Sequence, residues 1–128
     1  MKKLVFFSLI VVALCSFKFY DEPNPLLGKW EWKKVYKKGP MAIMLLFRNN
    51  GTYDGFANQK SFVTGTYRLK KDTLYISDPI CNSKYEGTYK MTMYGAQDSV
   101  RFDVIADTCK GRVEGANATV YKKIKAVK

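Results

Sequence analysis

The chain predicts an all-β fold, an eight-stranded antiparallel up-and-down β-barrel, and three observations point to it. Short runs with period-two alternation recur along most of its length. Tight polar or glycine-bearing turns such as Asn49-Asn50-Gly51 separate them. Past the first twenty residues, no helical periodicity lasts longer than two turns. Eight strands with one apolar face each bury those faces by closing into a barrel, which also removes exposed sheet edges. A two-sheet sandwich is the competing solution, but its crossover links are usually longer than these turns.

The first segment lies outside that fold. Met1-Lys2-Lys3 is followed by an apolar run from Leu4 to Cys15 broken only by Ser8, the pattern of a secretory signal. The run is shorter than the roughly 20 residues of a membrane span, although an N-terminal membrane anchor is the alternative. Val12-Ala13-Leu14-Cys15 resembles a bacterial lipobox, which makes Cys15 a lipidation candidate. Removal of Cys15 with a cleaved signal would also account for an odd cysteine in an exported protein. Residues 1–20 are therefore assigned to the signal and the start of a tether, and residues 21–27, with Pro23 and Pro25, to the rest of that tether, which ends by docking Leu26 and Leu27.

The domain spans residues 28–124, before a basic tail at 125–128. In its first strand, near 29–36, Trp30, Trp32 and Tyr36 share one face while Lys29, Glu31 and Lys33 share the other. Lys37-Lys38-Gly39-Pro40 turns the chain into Met41–Phe47, apolar on both faces. Such a run fits a strand or a short buried helix, and its place between two strands favours the strand. Asn49-Asn50-Gly51 is a hairpin signal leading to a strand near 51–56. The next strands are expected near 62–69 and 73–77, with Lys70-Lys71-Asp72 between them and Asp78-Pro79 as the stop.

Two alternating runs then flank a turn at Gly95, near 85–94 and 98–105. Gly95 is also the midpoint between Cys81 and Cys109, so an antiparallel hairpin brings these cysteines nearly opposite each other, where a disulfide can form. In the chain-entropy picture such a bridge stabilises the fold by roughly 3 to 4 kcal/mol. A last strand is expected near 113–123.

Length and composition, 128 residues and 47% hydrophobic, support one domain with a sizeable core. The net charge is +11, falling to +8 without residues 1–20, which hold three lysines and no acids. Such a domain is drawn to anionic surfaces, lipid or polysaccharide, with nucleic acid the least expected partner of an exported chain. No histidine is present, which removes the commonest proton-transfer group and metal ligand near neutral pH. With no metal-spaced cluster and no phosphate loop, the expectation is a monomer that is not an enzyme and carries no cofactor or metal. Asp103 and Asp107, beside Arg101 and Arg112, read as ion pairs.

Gly28-Lys29-Trp30 resembles the Gly-x-Trp opening of lipocalins. Gly65-Thr66-Tyr67, Gly87-Thr88-Tyr89 and Asp107-Thr-Cys109-Lys-Gly-Arg112 are similar to phrases in small bacterial lipocalin-like, calycin-type envelope proteins. The resemblance covers residues 26–124. It implies a barrel whose lumen carries a small apolar molecule, with Trp30 packed at the closed end beneath a basic side chain. Arg112 is assigned as that barrel-closing partner, with Lys122 and Lys123 as alternatives.

The lumen candidates are Trp32, Val63, Tyr67, Leu74, Ile76, Tyr89, Met91, Met93, Phe102 and Val104. An eight-stranded interior is wide enough either to be filled by these side chains or to hold one small ligand. The leading expectation is an exported lipocalin-like binding protein of the bacterial cell envelope, holding a small hydrophobic or amphipathic molecule in its lumen. The alternative is an envelope interaction or inhibitor protein with a filled barrel, working through its loops and basic face.

Overall fold

The computed structural model describes residues 23–125. The expected signal, the lipidation candidate Cys15 and the end of the basic tail lie outside the described residues. Eight antiparallel strands form a closed barrel in which each pairs with its neighbours in sequence and β1 meets β8. They are β1 (Gly28–Tyr36), β2 (Gly39–Phe47), β3 (Thr52–Ala57), β4 (Lys60–Lys70), β5 (Thr73–Ser77), β6 (Gly87–Tyr94), β7 (Ser99–Ala106) and β8 (Thr119–Lys123). The run from Met41 to Phe47 is a strand, and Tyr94↔Ser99 closes the hairpin around Gly95 as expected.

One element departs from expectation. The run near 113–123 was expected to be strand throughout, but Lys110–Ala116 forms a short helix, α1, and only Thr119–Lys123 joins the barrel. Residues 110–116 contain two glycines, an alanine and a single β-branched side chain, a poor composition for a strand. The helical turns also bury Arg112 between two carboxylates.

The two barrel ends differ. At the end where β1 begins and β8 stops, Leu26 and Trp30 are fully buried, and the Trp30 indole N–H donates to the Leu26 carbonyl at 2.8 Å. The tether is held there by Asn24, which accepts from the Leu26 amide and donates to the Tyr67 hydroxyl. Lys123 Nζ lies 5.6 Å from the centre of the Trp30 ring, so Lys123 is the basic partner of Trp30. This corrects the assignment of Arg112, which belongs to the β7–β8 connection at the opposite end. Above Trp30, Phe47 packs edge-on against Tyr67 (4.9 Å) in this filled half of the barrel, and further along Phe102 packs edge-on against Tyr121 (5.8 Å).

At the other end the closure is looser. β1 and β2 pair along their full length, whereas β1 pairs with β8 only at Trp30↔Lys123 and Glu31↔Lys122. Beyond Trp32, the outer part of the β1–β2 hairpin therefore stands away from β8. Asn58, in the turn after β3, braces β2 by exchanging hydrogen bonds with Ala42.

Candidate functional site

Where β1 leaves β8, a cavity of about 1040 Å³ opens into the barrel. Its walls come from β1, β2, β3, β4 and β5, with α1 and β8 on the far side of the seam. Trp32, Ile43, Leu45, Val63, Ile76 and Tyr121 give it a largely apolar surface. Burial pushes the Tyr121 phenol up to about 12, so it stays neutral and donates to the Gly115 carbonyl at 3.2 Å. The cavity holds only three of the ten expected lumen residues, Trp32, Val63 and Ile76. Tyr67, Leu74, Tyr89, Met91 and Phe102 are buried in the core instead, and Met93 and Val104 pack against it half-buried.

A network of charged and phenolic groups forms one side of this cavity. Arg112 donates from Nε and Nη2 to the two oxygens of Asp107 (2.7 and 2.8 Å) and from Nη1 to Asp78 (3.0 Å). The Tyr53 hydroxyl donates to Asp78, and the Tyr89 hydroxyl to Asp107. The ionic side chains are nearly sealed from solvent, at 6% for Arg112, 1% for Asp78 and 0% for Asp107. Burial would raise the Asp107 pKa, but hydrogen bonds from Arg112, Tyr89 and the Cys109 amide hold it below the usual carboxylate value. Burial, and donation to a carboxylate, push both Tyr53 and Tyr89 upward, so they remain protonated donors.

Two glycines make room for the network. A Cβ on Gly65 would fall 2.3 Å from the Ser77 carbonyl oxygen and 2.7 Å from both Asp78 Cβ and the Tyr53 ring. A Cβ on Gly87 would fall 2.4 Å from Asp107 Oδ2. The two Gly-Thr-Tyr phrases thus mark strand positions where a carboxylate crosses against bare backbone.

Cys81 and Cys109 are joined by a disulfide, with their Cα atoms 5.7 Å apart. The bridge lies beyond the β6–β7 ladder, tying the loop after β5 to the residue before α1. It therefore holds the two chain segments that carry Asp78 and Arg112. The expected ion pairs are both present, Arg101 with Asp103 at 3.1 Å and Arg112 with Asp107.

Sequence reasoning did not join Asp78 and Tyr53 to Arg112, because they are distant in the chain and meet only on barrel closure. It also read Lys34 only as part of a basic surface group with Lys33, Lys37 and Lys38, not as a cavity residue. This residue has the same parity on β1 as Trp30, Trp32 and Tyr36, so its side chain borders the cavity, with Nζ 5.2 Å from the Tyr36 ring centre. Around the mouth, Val35, Tyr36, Phe62 and Ile80 are exposed apolar side chains, with Lys37, Lys38 and Lys60 among them.

Among the described residues no group of three His, Cys, Asp or Glu is placed to hold a metal ion. Comparison with protein-family models, curated proteins and solved structures finds no match to this chain.

Proposed function

We propose that this protein is an exported, lipocalin-like binding protein of a bacterial cell envelope, holding a small apolar or amphipathic molecule in the hollow half of its barrel. The observation that carries the reading is the apolar-walled cavity, whose volume is at the upper end of the roughly 300–1,000 Å³ usual for small-molecule sites. The filled half below it supplies rigidity, and the Arg112 network supplies a wall whose polar groups already satisfy one another. A ligand would meet mainly hydrocarbon and aromatic surface there, which suits retention by desolvation.

The disulfide and the signal-like first fifteen residues support export. Exposed apolar side chains among lysines at the mouth suit contact with an anionic lipid surface, from which an amphipathic molecule would be collected or to which it would be delivered. A binding role is favoured over catalysis because the buried carboxylates are engaged by Arg112 and two tyrosines. Native mass spectrometry of the protein purified from its own source tests the reading. A single co-purifying small molecule with a substantial apolar portion is expected. Apoprotein alone, together with failure to take up any apolar compound offered afterwards, would contradict it.

A further inference from the structure

We propose that Lys34 receives the anionic head of an amphiphile whose apolar chain points into the barrel, so that the head selects the ligand at the mouth. The inference rests on the binding role proposed above and adds the ligand's charge and orientation.

Three observations carry it. First, Lys34 occupies an inward position of β1 and borders the cavity beside Trp32 and Tyr36, both of which also line it. Among the described residues it makes no ion pair, while its neighbour Lys33 is paired with Glu31 at 3.3 Å. Second, the rim around it is cationic. Lys37 and Lys38 border the same cavity, against the single rim carboxylate of Glu114.

Third, the inner wall is closed to an anion. Its guanidinium, Arg112, is engaged by two carboxylates, Asp78 and Asp107, in three hydrogen bonds, which leaves an excess negative charge there. An anionic head placed inside would meet that charge with little water to screen it, whereas one at the rim meets three lysines and solvent. The polarity of the cavity therefore orients an anionic amphiphile head outward.

The test compares dodecanoate with dodecanol, which share a chain length and differ in head charge, by calorimetric titration of the wild-type protein, Lys34→Met and Lys90→Met. Methionine keeps much of the lysine stem's apolar cover and removes its charge. Lys90 is an exposed lysine on β6, away from the cavity lining, and serves as the control. Lys34→Met is expected to weaken dodecanoate about fivefold while leaving dodecanol unchanged, with Lys90→Met altering neither. Added salt is expected to weaken dodecanoate in the wild type and to have less effect in Lys34→Met.

Equal changes for both ligands, or none for dodecanoate, would overturn the assignment of Lys34. Saturable binding of dodecanol with that result would overturn the head-group inference alone. Absence of binding by either compound to the wild type would overturn the inference together with the binding role.

Discussion

Arg112 holds Asp107 in a two-pronged ion pair, Nε to Oδ2 at 2.7 Å and Nη2 to Oδ1 at 2.8 Å, and its remaining hydrogen bond, to Asp78 at 3.0 Å, fixes α1 to the barrel. The loop before α1 and the loop after β5 meet on one guanidinium. Removing it would leave two carboxylates in a nearly dry site. Arg112→Met is expected to lower stability by about 3–5 kcal/mol, read as a reduced urea midpoint. A loss under about 1 kcal/mol would mean that the network is more hydrated than its burial indicates.

Gly65 and Gly87 carry a sharper steric prediction. An added methyl would enter the space of the Ser77 carbonyl and Asp78 in one case and of the Asp107 carboxylate in the other. Gly65→Ala and Gly87→Ala are each expected to destabilise by about 1–3 kcal/mol or more. Gly111→Ala is the internal control, since a Cβ there meets nothing within 4 Å. Thermal melts of the three variants check the order.

Acid stability follows from Asp107. Its folded pKa lies below the unfolded value of about 3.9, so its contribution to stability is present above that value and is lost as pH falls through the folded pKa. The chain has no histidine to titrate at intermediate pH. Urea midpoints are expected to be nearly flat from about pH 5 to pH 8 and to fall below about pH 4, less steeply in Asp107→Asn. A transition centred near pH 6 would contradict this.

Reduction of Cys81–Cys109 frees two loops whose tips carry the groups that meet in the Arg112 network. The bridge spans a sequence separation of 28, for which the chain-entropy model gives roughly 3 to 4 kcal/mol. The melting temperature is expected to drop by at least several degrees on reduction. An unchanged melt with both thiols shown to be free would rule out a stabilising role.

The fold was legible because its determinants are local. Alternation in Ser61–Leu69 and Gly87–Met93, and turns at Asn50-Gly51 and Gly95, specify strands and their register. The turn at Asn58-Gln59 was less legible, since both residues take positive φ and Gln rarely signals this. The β8 region was misjudged because α1 is stabilised by Arg112 reaching Asp78 across the barrel, a contact with no local signature. The cavity was only partly legible for a related reason. Alternation shows that a side chain points inward, but whether the space before it is filled depends on how β1 and β8 diverge beyond Glu31↔Lys122. Trp32 and Ile76 therefore face the hollow, while Leu74 and Tyr89 of the same set lie in the core.

A fluorescence titration with N-phenyl-1-naphthylamine reports whether the hollow half of the barrel accepts an apolar molecule. Wild-type protein is expected to bind this neutral probe saturably, one per barrel. Ile43→Trp, which adds an indole to the cavity wall, is expected to weaken binding at least about tenfold with little change in melting temperature. Absence of saturable binding by the wild type, or equal binding by Ile43→Trp, would contradict the account.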